Sequence, residues 1–215
     1  MKPEILSGLK NWFADYLKWM TTHPYGVDEM NAKNNHSVAY FLQLAAFARL
    51  TDDAGKMEMA RKRYKEVFIP YQMDIDGSFP LELERTKPYG YSIFQLDNMV
   101  LLCQLLSTED EDIWKYTMKD GRCIEKGMEF LFEYLKDKNR WPYLPDILYY
   151  DEWPVRQPCL LFAGYALGHP EYLDLWKTLD ADPANLEVRR NMAVTQPLLW
   201  FMKTEDVPLF KTPKL

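Results

Sequence analysis

The sequence predicts an all-α protein assembled from antiparallel helical hairpins, and three observations carry that expectation. Apolar residues recur at three- and four-residue intervals through most of the 215 residues, strand-like alternation is hard to find, and turn signals divide the chain into helix pairs of roughly 40–55 residues. Helix pairs of this size without a sharp repeat consensus suggest a curved array of hairpins, with an irregular helical bundle as the plainer arrangement.

The elements follow in order. Ile5, Leu9, Trp12, Phe13, Tyr16, Leu17 and Met20 keep helical spacing and predict a first helix over 4–21. A second begins after Asn34 and Asn35, with Val38, Phe41, Leu42, Ala45 and Ala48 on one face, and a third covers 54–68. These two form a hairpin around Thr51-Asp52-Asp53. Residues 73–80 read as a turn-rich loop and 81–88 as an extended stretch. From Tyr91 to Leu106 the pattern is apolar on nearly every side, which suits an inner helix. Thr108 with Glu111 makes a capping box for a short helix, and Ile124, Met128, Leu131, Phe132 and Leu135 face inward from a helix over 121–137. After an aromatic loop over 139–153, a helix ends at Gly168, before His169-Pro170. A final helix over 186–203 contains Pro197, which should kink or divide it.

Composition excludes several classes of function. With 47% apolar residues the chain can fill one core and is not disordered. A net charge of -6 without any run of Lys and Arg argues against a nucleic-acid partner. It leaves an acidic ligand open, because a cleft can concentrate positive charge locally. No stretch approaches the roughly 20 apolar residues of a membrane span, and Met1 leads into an amphipathic helix rather than a signal peptide. Cys103, Cys123 and Cys159 are odd in number and widely spaced, so neither a disulfide framework nor a metal site is encoded. His23, His36 and His169 are too scattered for a ligand set, and Asp74 and Asp76 lack the spacing of a calcium loop. Neither a metal nor another cofactor is expected. The 7 Trp, 14 Tyr and 11 Phe are mostly packing residues, but rings in polar surroundings, such as Trp141 and Tyr143, can also stack on sugars.

Two segments place hydrogen-bonding side chains at the mouth of a helix: Asn31-Ala32-Lys33-Asn34-Asn35-His36-Ser37, and the run from Asp76 to Ser92 that contains Glu82-Leu83-Glu84-Arg85-Thr86-Lys87-Pro88-Tyr89-Gly90-Tyr91. Each has a plain reading. Asn34 or Asn35 can be an ordinary N-cap, His36 a first-turn histidine, the charges a solvated cluster, and Tyr89 and Tyr91 packing residues.

Together, from about residue 28 to about residue 145, they resemble the alginate lyase superfamily, where an Asn-Asn-His helix start precedes a Glu-x-x-Arg loop and a Tyr-Ser-x-Phe helix start. The resemblance implies an incomplete (α/α) toroid and matches Asn35 and His36 to the carboxylate-contacting pair, Arg85 to the substrate arginine and Tyr91 to the catalytic tyrosine. Lys33, Asn34, Lys87, Tyr89, Trp141 and Tyr143 are expected to touch the substrate. Ser37 stands where glycine is common, Gly90 where histidine is often found and Gln95 where asparagine is usual, departures that bear on the substrate more than on the reaction. Such enzymes have more helices than this chain supplies. The 215 residues are therefore expected to form one helical domain, the C-terminal portion of a longer toroid, in a periplasmic or secreted protein.

The implied partner is an acidic polysaccharide, a uronate polymer such as alginate or glucuronan, cleaved by β-elimination. An ionised carboxylate resists a second negative charge when the C5 proton leaves, so Asn35, His36 and Arg85 would neutralise it. An unperturbed tyrosine has a pKa near ~10, so Tyr91 would need Arg85 and a cation such as Lys87 to act as base and acid; for the C5 epimer His36 is the candidate base. Two other classes compete. An inverting glycosidase would draw on Asp76, Glu82, Glu84 and Asp97, and a non-catalytic scaffold would bind polymer without cutting it. The oligomeric state is not encoded.

Overall fold

The computed structural model describes residues 2–192 and 194–201. Among them there are ten α-helices joined by short 3-10 turns, and no β-strand; one isolated bridge links Thr117 and Cys123. None of the helices is long and apolar enough to cross a membrane.

Helix α1 (Pro3–Thr22) turns at His23 into α2 (Pro24–Met30), and α1 packs against α3 (Asn35–Thr51). Only Leu17 and Met20 of α1 are buried, whereas Ile5, Leu9 and Trp12 are exposed, because no described residue covers its outer side. Helix α3 begins at Asn34, whose side chain accepts the His36 N–H at 3.3 Å, and ends at Asp52 in the left-handed region. A tight turn leads to α4 (Ala54–Arg63). The expected third helix runs past its predicted end, as wide π-helical turns over Tyr64–Gln72. This spacing accommodates Pro70, whose ring would clash with the carbonyl four residues earlier in an α-helix.

Helix α5 (Pro80–Leu83) replaces the extended stretch expected there, with Pro80 supplying the preset φ of a first helical turn. Helix α6 (Pro88–Leu106) is the inner helix: 16 of its 19 residues are buried, with α3, α4, α7 and α8 packed around it. Several of its buried polar side chains are hydrogen-bonded, Ser92 to the Pro88 carbonyl and Asn98 to the Phe94 carbonyl among them. Gln95 donates to Gln72 at 2.9 Å, Gln72 donates to Ser37 Oγ at 3.0 Å, and Ser37 donates to the Asn34 carbonyl at 3.2 Å. Two departures from the family pattern, Ser37 and Gln95, are therefore linked through one glutamine.

The expected capping box does not form: Thr108 Oγ1 accepts the Glu111 N–H at 3.1 Å, but the Thr108 N–H goes to the Glu111 backbone carbonyl at 2.8 Å and the Glu111 side chain turns to Lys65, so the segment closes a turn rather than opening a helix. Helix α7 (Ile124–Lys136) buries Ile124, Met128, Leu131 and Leu135 as its pattern predicts. Helix α8 (Pro158–Ala166) ends at Gly168, whose φ of +78° belongs to the glycine-favouring region. No helix is expected directly after it, yet α9 (Pro170–Thr178) begins at once, with Pro170 at its first position. Helix α10 (Leu186–Asn191) is shorter than expected, and Pro197 opens a separate 3-10 turn. Residues 202–203 of the predicted final helix lie outside the described residues.

The fully buried Asp97 of α6 reaches across to α8, where its Oδ1 accepts the Cys159 N–H at 2.9 Å. Burial pushes this carboxyl up to about 7. Its Oδ2 has no partner among the described residues, which suits a protonated acid. Cys103 and Cys159 are buried core residues.

Candidate active site

Three helix ends converge on a cleft of about 340 Å³: the start of α3, the start of α6, and α10. At the start of α3, the backbone N–H of Asn35 and its side-chain amide both donate to Glu82, at 2.8 and 2.5 Å. Glu82 projects from α5 and is 2% exposed. Burial raises its carboxyl, and the two Asn35 hydrogen bonds and the Arg85 charge oppose that rise. Asn35 is thus clamped with its remaining amide hydrogen uncommitted among the described residues. The next residue, His36, is half exposed and meets Glu29 Oε1 through Nδ1 at 2.7 Å. With the carboxylate accepting, Nδ1 carries a proton, and in the neutral ring Nε2 presents a lone pair.

Lys87 supplies no side-chain cap for α6. The carboxylate of Asp146 does so from across the cleft, accepting the N–H groups of Tyr89 and Gly90 at 2.7 and 2.9 Å. The Asp146 loop is pinned by the Ile147 N–H on the Thr86 carbonyl at 3.1 Å. Gly90 is sealed: a Cβ there would lie 2.9 Å from Asp146 Oδ2 and 3.1 Å from Trp153 Nε1. One residue on, Tyr91 lines the cleft. Arg85 donates to its hydroxyl at 3.2 Å and lies 4.2 Å from its ring centre, and Lys87 Nζ lies 5.6 Å from the ring. Arg85 thus meets both the hydroxyl and the ring of Tyr91, and Lys87 lies over the ring.

The third wall is α10. Its Glu187 pairs with Lys87 at 3.3 Å and with Arg190 at 2.7 Å. Arg190 holds the Glu187 carboxyl below the usual carboxylate range.

The fold thus brings Asn35, His36, Lys87 and Tyr91 to one cleft, with Arg85 against Tyr91. Other residues expected at the substrate lie elsewhere. Tyr89 is fully buried, its ring edge-on to Trp141 and Tyr150 and its hydroxyl on the Tyr134 carbonyl; Trp141 is 8% exposed and packs among Tyr89, Phe130 and Tyr134. Both are core aromatics, because α6 and α7 need that volume filled where the aromatic loop crosses them. Tyr143 is exposed and packs on Trp141, Lys33 is exposed, and neither lines the cleft; Asn34 is the N-cap. Glu29, Asp146, Glu187 and Arg190 were missed, since only the fold brings them to the two motifs. Among the described residues, no group of His, Cys, Asp and Glu is placed to hold a metal.

A family model described as alginate lyase matches residues 1–141, extending the resemblance to the first residue. Among solved structures the chain is similar to an alginate lyase from Bacteroides ovatus, at 32% identity and a TM-score of 0.73 over 89% of this chain and 50% of that one. The chain therefore spans about half the length of that structure. No curated protein matches it.

Proposed function

This chain belongs to the alginate lyase family, and from that premise we propose that it carries the catalytic face of a polysaccharide lyase that cuts a uronate polymer by β-elimination. The observation that carries the reading is the Tyr91 hydroxyl, held by Arg85 at 3.2 Å in the cleft that Asn35 and His36 also line. In the proposed reaction the C5–H and C4–O4 bonds break and a C4–C5 double bond forms, with no water consumed. Asn35, His36 and Arg85 neutralise the substrate carboxylate, which lowers the barrier to proton loss at C5. Tyr91 takes that proton and returns it to the departing O4 when both lie on one face of the sugar. For the C5 epimer, His36 takes the proton through Nε2, oriented by Glu29, and Tyr91 remains the acid. Lys87 is the proposed substrate-binding cation.

We further propose that the 215 residues are one helical domain, the C-terminal portion of a longer toroid. The half-length coverage and the uncovered apolar side of α1 support this. By the same reading the protein acts in the periplasm or outside the cell. A second reading, a fragment that binds polymer without turnover, draws on the same half-length coverage. The glycosidase reading loses ground: Glu82 and Asp97 are buried in structural roles, and neither Asp76 nor Glu84 lines the cleft. Incubation with polymannuronate, polyguluronate and glucuronan, followed by ultraviolet absorbance of the new double bond, tests the proposal. Absorbance growing with one polymer is expected; new reducing ends without it would indicate hydrolysis and overturn the elimination.

A further inference from the structure

We propose that Glu187 is an internal stand-in for a substrate carboxylate, occupying the cleft's cations until a uronate displaces it. The inference rests on the lyase reading and goes beyond it to how the cleft is regulated and filled. Three chemically different donors converge on this one side chain: the Lys87 ammonium at 3.3 Å, the Arg190 guanidinium at 2.7 Å and the Asn191 amide at 3.3 Å. All four residues line the cleft beside Tyr91. An ammonium, a guanidinium and an amide gathered around two oxygens are the set that recognises a sugar carboxylate.

The other acids of the cleft have fixed duties. Asp146 is buried beneath the start of α6, and Glu29 orients His36. Glu187 differs because it can leave. It sits on a six-residue helix with its side chain 22% exposed, and Arg190 is 72% exposed, so water screens the Arg190 pairing, while the Lys87 contact is part-buried. While Glu187 stays, it neutralises Lys87 and Arg190, and the attraction these two cations would offer a polyanion is muted. When it swings outward, the same donors receive a uronate next to the one at Tyr91.

Calorimetric titration of the 215-residue chain with oligomannuronate, oligoguluronate and oligoglucuronate tests this, in a Tyr91→Phe background that prevents turnover. Glu187→Gln, with Glu187→Ala as a second variant, should bind the preferred oligomer about 1.5- to 5-fold more tightly, the range expected for releasing an exposed ion pair, and high salt should erase the gain. Lys87→Ala should weaken binding. Unchanged or weaker binding in both Glu187 variants would overturn the stand-in and leave the lyase reading untouched. Binding of none of the three oligomers by any form would sink the lyase reading itself, and the stand-in with it.

Discussion

The cleft has two walls that use one device, a carboxylate gripping nitrogen donors, in opposite surroundings. On the wall formed by the starts of α3 and α6, Glu82 and Asp146 are 2% and 6% exposed and hold backbone N–H groups. On the α10 wall, Glu187 holds side chains at the edge of solvent. Burial raises the first two carboxyls, while Arg190 lowers the third. A buried carboxylate that loses its donors, or donors that lose it, have no water to turn to. A carboxylate at the edge of solvent can exchange partners more readily. On the proposed reading, the firm wall fixes where the chemistry happens and the loose wall governs what enters.

The sharpest way to break this comparison is at the firm wall's reactive group. Tyr91→Phe keeps the ring and deletes the hydroxyl, so double-bond formation should fall by about 10²–10⁴-fold with melting temperature preserved. Near-native turnover would remove Tyr91 from the reaction. Next, Glu82→Ala should orphan two buried donors of Asn35 and lower stability by about 3 kcal/mol in urea denaturation; a loss too small to resolve would mean the clamp is not structural.

A pH series sharpens the contrast further. Asp97, raised to about 7 with Glu82 and Asp146 raised beside it, is protonated more readily in the folded chain than in the unfolded one. Its contribution is fully present below the unfolded pKa and is lost as pH climbs through the folded value. Stability should thus decline between about pH 4 and 7, and Asp97→Asn should flatten that slope. Glu187 has the opposite sign, favouring the fold above its unfolded pKa, but its exposure should leave no visible slope. The smallest expected effect is Arg190→Ala: no measurable change in unfolding midpoint at any salt concentration. A clear destabilisation would show that the α10 wall is as firm as the other.

Helices whose burial follows local periodicity were legible. The all-sided apolar pattern of α6 and the inward face of α7 translate directly into packing. The start of α3 was legible too, because Asn34 caps it with its own side chain. What failed depended on the third dimension. Trp141 reads as a ring that can stack on sugar and Tyr89 as a substrate contact because nothing local says that an aromatic loop folds down onto α6 and α7. The first helix reads from its spacing as amphipathic, but the periodicity does not show that only Leu17 and Met20 are buried while Ile5, Leu9 and Trp12 stay exposed. The cap on α6 lies 57 residues away in sequence from Tyr89, and Glu187 lies 100 from Lys87. Helix α9 was missed because Gly168 and Pro170 together look like a stop, when the proline is also a start.

Gly90 bears on how this cleft can change by mutation. The family resemblance leads one to expect histidine at this position, yet here the space a Cβ would need is taken by Asp146 and Trp153. A lone Gly90→His step would push the Asp146 carboxylate off the N–H groups it caps. Replacing Trp153 by a smaller residue would remove the 3.1 Å contact and leave the 2.9 Å contact with Asp146. A side chain at position 90 therefore requires Asp146 to move as well, and Asp146 cannot move without uncapping α6.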